Sequence, residues 1–116
     1  QENSESANGM QLSGIGGQMD FLEGAFRSEG GCGYICINSS RLTKDGVRKS
    51  NILPFIPGGS TVSAPRTLIE AVATEYGIAH LAGKSLAERR EAMIAIAHPD
   101  FRDALRSEKP DLSRFL

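Results

Sequence analysis

The chain has 116 residues, enough for one compact domain, and its 40% hydrophobic content includes no tryptophan, so aliphatic side chains and alanine must form the core. Thirteen Lys and Arg residues against fourteen Asp and Glu residues give a net charge of −1, without the positive excess that binding to nucleic acid or an anionic membrane requires. No apolar run approaches the roughly 20 residues that span a bilayer, and there is no targeting segment, so we expect a cytoplasmic protein.

A glycine-rich loop and a helix are predicted near the start of the chain. Met19, Leu22 and Phe26 recur at helical spacing, which predicts a helix from Gln18 to Arg27. Ser28-Glu29-Gly30-Gly31 follows, and such a glycine pair is typical of a helix end.

Two cysteines lie on the short apolar run "GYICIN" or directly before it, and this run, residues 33–38, predicts a buried strand. Cys32 and Cys36 are about 13 Å apart on an extended chain, too far for a disulfide. They also lack the spacing and histidine companions of a zinc site, so we expect buried free thiols and no metal.

The middle of the chain predicts further short strands. Residues 41–51 form a charged excursion with Asp45-Gly46 at its tip, which is typical of a hairpin turn. "ILPFI", residues 52–56, is expected to return as a strand, with its proline at an edge or bulge. Residues 60–67 predict another short strand, and residues 68–81 predict two strands around a glycine.

Two helices are predicted near the end of the chain. Ser85 and Glu88 match a capping box, and apolar spacing continues a helix to about Ala97. His98-Pro99 should break it, and Asp100 should cap a last short helix through Leu105. Short strands followed by helices predict an α/β or α+β domain. Its expected divisions are a polar, frayed lead-in at residues 1–10, the domain at 11–107 and a tail at 108–116.

Nucleotide-binding templates fail on this sequence. "AGKS", residues 82–85, lacks the upstream glycine of a Walker A loop, because Ile78 stands there. A dinucleotide fingerprint starting at Gly14 would need glycine where Met19 stands. The glycine loop itself leaves two interpretations open. Gly14, Gly16 and Gly17 before a helix start can present amides to a carboxylate, a phosphate or an oxyanion, or they can form a packing turn.

Other polar residues carry weaker signals. Glu75 lies between small residues at a predicted strand end, where α/β sites usually lie, although an ordinary surface turn also explains it. Asp20 falls in the first turn of a helix, where a carboxylate stabilises the helix dipole. Arg66 could hold an anion or face solvent, and ordinary polar roles are expected for His80 and His98.

Four stretches occur together in one order: "SGIGGQMDFLEGA", "PRT", "TEYGIAHLAGKSLAERR" and "AIAHPDFR". With this spacing the chain resembles, from about Asn3 to Arg106, the C-terminal domain of the acetyl-CoA hydrolase/transferase family. The family includes 4-hydroxybutyrate, acetate and succinate CoA-transferases. The resemblance implies one open α/β domain of the CoA-transferase type, half of a two-domain enzyme with its active site between the domains.

The resemblance also implies a ping-pong reaction. A glutamate attacks an acyl-CoA thioester, CoA returns to give a glutamyl-CoA thioester, and a short carboxylic acid then resolves it. That nucleophile lies upstream of the glycine loop, in sequence that this chain does not contain, so the chain alone should be inactive. Coenzyme A is then a substrate, with no tightly bound cofactor.

The chain should supply the wall that faces the nucleophile. By resemblance, the amides of Gly16 and Gly17 form an oxyanion or thioester wall. Gly14 and Ile15 complete the CoA-binding loop, and Gln18 and Asp20 shape it. Glu75 is the catalytic candidate that approaches the acyl or carboxylate pocket.

The sequence departs from the family pattern at three places. His80 and Ala82 stand where many relatives have Asp and Arg, and "PRTLI" replaces the commoner "PRTDV". These changes affect the expected substrate preference more than the reaction class. The implied partners are an acyl-CoA, a short carboxylic acid and the missing N-terminal domain, with a homo-oligomer possible. An acetyl-CoA hydrolase and a non-catalytic acyl-CoA or anion-binding module remain the alternatives.

Overall fold

A computed structural model describes residues 1–108 of the protein. Its three helices are α1 Gln18–Arg27, α2 Leu86–Ala95 and α3 Pro99–Ser107. Its seven short strands are β1 Ser6–Ala7, β2 Met10–Gln11, β3 Tyr34–Cys36, β4 Ser40–Leu42, β5 Arg48–Ser50, β6 Ala71–Thr74 and β7 Gly77–His80. The α/β class and the C-terminal placement of two helices are as the sequence predicts.

The central sheet has the strand order β3-β6-β7. Strand β3 runs parallel to β6, with Ile35 beside Val72, and β7 runs antiparallel to β6, with Val72 beside Ala79. Buried aliphatic side chains of the sheet, α1, α2 and α3 form one core, which includes Leu22, Val72, Ala79, Ile94, Ile96 and Leu105. The carboxyl ends of β3 and β6 therefore lie at one edge of the sheet, which is where α/β sheets usually bind ligands.

Helix α1 begins and ends at the predicted residues. Leu22 is buried and Met19 packs against the core, but Phe26 is exposed although it shares the predicted apolar spacing. The helix ends where the backbone amide of Ser28 bonds to carbonyls of the last turn, and the chain then turns through Gly30 and Gly31 into β3.

The segment "GYICIN" forms a strand of only three residues, and it is not buried as predicted. Tyr34 and Cys36 are exposed on one face, whereas Ile35 points toward the core. The thiols are free, but Cys36 is exposed and Cys32 is half-buried, so the prediction of buried thiols is wrong. One face of the strand is therefore exposed to solvent, and the other contributes Ile35 to the core.

The predicted hairpin around Asp45-Gly46 is confirmed. Strands β4 and β5 pair antiparallel around this turn. The two strands predicted within residues 68–81 also form, as β6 and β7, which are joined by a turn just before Gly77.

Two predicted strands do not form. Residues 52–56 are irregular, with Ile52 buried and the other side chains outside the core. Residues 60–67 contribute only an isolated bridge, in which Ala64 faces Glu2. Prolines in both segments remove amide donors that a strand needs, and no neighbouring strand offers a partner.

The first ten residues are not frayed. The amide of Glu2 donates to the carbonyl of Ala64, and Asn3 Oδ1 accepts from the amides of Glu5 and Ser6. Glu5 is itself buried. Side chains of a polar segment therefore build a local turn that fixes this segment against the rest of the domain. The division at residue 11 stays a prediction, and residues 109–116 of the predicted tail lie outside the described part.

The two C-terminal helices differ from prediction at their boundaries. The capping box of Ser85 and Glu88 is confirmed, but α2 ends at Ala95 rather than Ala97. Helix α3 continues to Ser107, and its cap is His98, whose Nδ1 accepts from the amide of Asp100. Asp100 lies in the first turn instead, because Pro99 takes the first helical position. Within residues 1–108, no helix is long and apolar enough to cross a membrane.

Candidate functional site

The glycine loop leads directly into α1 and is exposed. Gly16 has a φ of +58°, a conformation that glycine adopts without the strain of a side chain. Gly17 is the N-cap of α1, and no side chain caps this end of the helix. The first amides of α1 and the loop amides are therefore open to an acceptor, and the helix dipole favours negative charge there.

Gln18 is fixed by the N-terminal segment. Its Nε2 donates to Glu2 at 3.0 Å, and its Oε1 accepts from the hydroxyl of Ser4 at 2.8 Å. The amides of Leu12 and Ser13 both donate to the carbonyl of Glu5, which fixes the start of the loop. Residues 1–10, which the sequence predicts to be a lead-in, therefore position the glycine loop. In the sequence, only the residue types of Asn3, Ser4 and Ser6, which are common in local turns, indicate this.

Helix α1 lies along β3 in the opposite direction. A Cβ added at Gly33 would meet Leu22 at 3.0 Å and Ala25 at 3.7 Å, so the start of β3 lies beside the later turns of α1. A groove of about 490 Å³ between them is lined by residues from Gln18 to Ala25 and from Cys32 to Cys36. The N-terminus of α1, with the glycine loop, consequently lies toward the carboxyl end of β3.

Apolar side chains stand exposed beside the glycine loop. Phe21 is 82% exposed, and its ring lies next to Gly17, where an added Cβ would meet it at 3.6 Å. Ile15 is also exposed. Asp20 lies one turn into α1 with its side chain in solvent, consistent with the dipole role that the sequence predicts.

Glu75 lies in the turn after β6 and is bound to the end of β3. Its Oε1 accepts from the Ser39 hydroxyl at 2.6 Å, and its Oε2 accepts from the Ser39 amide at 2.9 Å. These two hydrogen bonds, the hydroxyl first, lower the pKa of the Glu75 carboxyl below its ordinary value of 4.5. No motif in the sequence indicates Ser39 as the partner of Glu75.

The structure places the glycine loop and Glu75 at one edge of the sheet. Both lie toward the carboxyl ends of the parallel strands β3 and β6. No hydrogen bond joins them within residues 1–108, so they are separate features of that edge.

The remaining predicted residues have structural or surface positions. His80 is exposed and its ring meets Tyr34 edge to face at 6.4 Å, whereas His98 caps α3 and packs between Tyr76 and Phe101. Arg66 is exposed at the rim of a cavity of about 980 Å³ between the N-terminal segment, residues 51–58 and α2. Within the described part of the chain, no group of three His, Cys, Asp or Glu residues could hold a metal ion.

A family model for the acetyl-CoA hydrolase/transferase C-terminal domain matches residues 1–109. The chain belongs to this family. The butyryl-CoA:acetate CoA-transferase of Anaerostipes caccae is 46% identical over 105 residues, which cover 90% of this chain and 24% of that protein. The 4-hydroxybutyrate coenzyme A transferase of Clostridium kluyveri is also 46% identical over 105 residues, which cover 90% of this chain and 24% of that protein.

The fold of this acetyl-CoA hydrolase/transferase domain also matches solved structures. The crystal structure of RipA from Yersinia pestis superposes with a TM-score of 0.76 at 42% identity, over 90% of this chain and 22% of that one. The chain therefore spans about a quarter of the length of the relatives that it matches.

The Glu75–Ser39 pair of this family domain should make stability depend on pH. The folded state lowers the pKa of Glu75, so the stabilisation is fully present above 4.5, the ordinary value, and is lost as the pH falls through the lowered pKa. We expect Glu75→Gln to have a lower urea midpoint than the parent chain at neutral pH. In acid, the urea midpoints of the two chains should become similar. Glu29→Gln removes a carboxylate without touching Ser39 and is the control for the change in net charge. A constant difference for Glu75→Gln would contradict the assignment.

Proposed function

We propose that the chain is the C-terminal domain of a CoA-transferase that moves CoA between a short-chain acyl-CoA and a carboxylate. The observation that carries this proposal is the open glycine loop at the N-terminus of α1, held at the sheet edge in a chain of this family. The loop has the uncapped amides that an oxyanion or a thioester oxygen needs.

The proposed chemistry divides between this domain and an upstream domain. A glutamate carboxylate of the upstream domain attacks the thioester carbon, and the C–S bond breaks to release CoA thiolate and an acyl-glutamyl anhydride. The thiolate then attacks the glutamyl carbonyl of the anhydride, which releases the first carboxylic acid and leaves a glutamyl-CoA thioester. An incoming carboxylate repeats the two steps in reverse order, so that the new acyl-CoA leaves and the glutamate is regenerated.

The glycine loop would stabilise the charge that develops in each step. Every addition makes a tetrahedral oxyanion, and the amides of Gly16 and Gly17 are the proposed donors, with Gly14 and Ile15 shaping the approach. Gln18 is already held by two hydrogen bonds, so the loop is preorganised on that side. Asp20 would shape the outer side of the same wall.

Glu75 has a distinct part in this proposal. Because its pKa is lowered, it stays ionised at neutral pH and is unsuited to donate a proton. It would instead place a fixed negative charge at the edge of the acyl or carboxylate pocket, held there by Ser39.

The substrates are proposed from the relatives. Those proteins are named for butyryl-CoA and acetate and for 4-hydroxybutyrate, which indicates a short carboxylic acid. His80 and Ala82 are both exposed, and their departure from the family pattern is where we expect substrate preference to differ. An acetyl-CoA hydrolase is the second candidate, because the family model covers hydrolases and transferases together.

A chimera tests the proposal. This chain would replace the matching C-terminal quarter of the Anaerostipes enzyme, and CoA transfer from butyryl-CoA to acetate would be measured. We expect an active chimera. Alanine at position 16 keeps the backbone amide but is strained at a φ of +58°, so the loop amides should move out of position. We expect Gly16→Ala to lower the kcat of the chimera about a hundredfold, an effect as large as the loss of one oxyanion donor. Release of CoA that acetate does not accelerate would instead support the hydrolase.

The control is Gly30→Ala at the other end of α1. Gly16 and Gly30 both have positive φ and open space at the Cβ position, so the two variants bear similar strain. Only the first should change kcat. Equal losses in both variants would contradict the role of the loop, and transfer by the 116-residue chain alone would contradict the upstream nucleophile.

A further inference from the structure

The hairpin formed by β4 and β5 concentrates positive charge in a chain that is otherwise acidic. Four of the thirteen Lys and Arg residues, but only one of the fourteen Asp and Glu residues, lie between positions 41 and 49. The cations Arg41, Lys44, Arg48 and Lys49 are all exposed. A local field of this kind attracts anions even where the net charge of the chain is close to zero.

The register of the hairpin places like charges directly opposite each other. Arg41 pairs with Lys49 across the two strands, an arrangement that destabilises a hairpin unless an anion lies between the side chains. No carboxylate in the described part of the chain forms an ion pair with a hairpin cation. The charge of this face is therefore available to an external partner.

A neutral hydrogen bond holds the Arg41 guanidinium in place. Arg41 donates to the side-chain oxygen of Asn51, which is uncharged, so this guanidinium is oriented without being neutralised. Arg48 donates to the Ser40 hydroxyl at 2.9 Å, but it pairs with Leu42 and lies on the opposite face of the hairpin. An oriented guanidinium is the preferred partner of phosphate oxygens.

The base of the hairpin is fixed to the sheet edge that carries the candidate site. Asn51 donates from its amide to the carbonyl of Ser39 and from its side chain to the carbonyl of Asn38, both at 2.9 Å. Ser39 in turn binds Glu75. The hairpin therefore extends from the same edge as Glu75 and the glycine loop.

We propose that the Arg41–Lys49 face of this hairpin binds the nucleotide phosphates of coenzyme A. The inference rests on the proposed function, and it assigns the end of the ligand that is remote from the thioester. Coenzyme A carries a diphosphate and a 3′-phosphate, joined through a long pantetheine arm to the sulfur. A ligand with its thioester at the glycine loop needs cations some distance away on the same side of the domain.

An exposed apolar side chain adjoins the same cationic face. Residues alternate between the two faces of a strand, and the amide of Thr43 donates to the carbonyl of Val47, which continues the pairing. Val47 is therefore on the face of Arg41 and Lys49, and it is 54% exposed. It offers an apolar contact for an adenine ring beside the phosphates.

The test uses the nucleotide end of the ligand alone. The 116-residue chain would be titrated with adenosine 3′,5′-bisphosphate at low ionic strength, with backbone amide shifts and calorimetry as readouts. We expect the largest shifts between residues 41 and 49, and binding about tenfold weaker for the Arg41→Ala/Lys49→Ala double variant. Adenosine without phosphate should cause no such shifts.

A matched variant controls for net charge. Arg27→Ala/Arg106→Ala removes two exposed cations from the ends of α1 and α3 and should leave the affinity within about twofold. Equal weakening in the two double variants would overturn the proposal, as would shifts that lie outside the hairpin. Tighter binding of a single-stranded RNA to the same residues would overturn it in favour of a nucleic-acid surface.

A second probe separates this inference from the proposed function. Acetyl-pantetheine lacks the nucleotide and should change the backbone amide shifts of residues 14–18 only. If it leaves that loop unchanged while the bisphosphate still binds the hairpin, the role of the loop fails and the phosphate site remains. If the loop responds and the hairpin does not, the phosphate site fails alone.

Discussion

Replacing Gly31 with alanine is expected to lower the free energy of unfolding by about 3 kcal/mol, because the new methyl group has no space. An added Cβ would overlap the carbonyl oxygen of Ala25 and would lie 2.9 Å from the Cβ of Ser28. Both neighbours belong to the end of α1, where the Ala25 carbonyl also accepts from the amide of Ser28. Relief of the overlap requires movement of the turn that joins α1 to β3. Urea unfolding of the 116-residue chain measures the loss.

The same substitution at Gly24 should have the opposite sign. Gly24 lies inside α1, and an added Cβ there meets nothing within 4 Å. Alanine is a better helix former than glycine, so Gly24→Ala should raise the free energy of unfolding by about 0.5–1 kcal/mol. If both variants were equally stable, the close contact at Gly31 would be contradicted.

Truncation of Ile96 to alanine is expected to lower the free energy of unfolding by about 3 kcal/mol. Its side chain is 4% exposed in the core, and its Cγ2 lies 3.8 Å from the position of an added Cβ at Gly77. The Ile96 carbonyl also accepts from the hydroxyl of Thr74. Ile96 therefore supports both ends of the turn that carries Glu75.

Leu86→Ala at the other end of α2 is the control. Leu86 is 66% exposed, so its truncation should change the free energy of unfolding by less than about 0.5 kcal/mol. The Ile96→Ala variant should also weaken the pH dependence that Glu75 confers, because the turn loses its support. A loss of stability with an unchanged pH dependence would show that Ile96 supports the core and not the turn.

Elements with strong local signals were predicted correctly. Helix α1, the hairpin around Asp45-Gly46 and the capping box at Ser85 each depend on interactions between residues close in sequence. Helical spacing, turn residues and caps act within a few residues, so a single sequence contains them.

Segments whose structure depends on distant partners were predicted wrongly. Residues 52–56 have the composition of a strand but find no neighbouring strand to pair with. Residues 1–10 look like a polar terminus, yet Glu2 pairs with Ala64, and Glu5 is buried. Hydrogen-bond partners about sixty residues away leave no pattern in the segment itself.

The features of the candidate site also fall into those that local sequence predicts and those that depend on distant partners. The sequence by itself determined the glycine loop, the helix that follows it and the family, because these depend on residue types in a fixed order. Only the tertiary structure decided that Glu2 and Ser4 hold Gln18, that Ser39 holds Glu75, and that the basic hairpin shares their edge. The physical reason is that these contacts join residues 14 to 36 positions apart, which no local pattern encodes. The parallel pairing of β3 with β6, for example, brings Ser39 to Glu75.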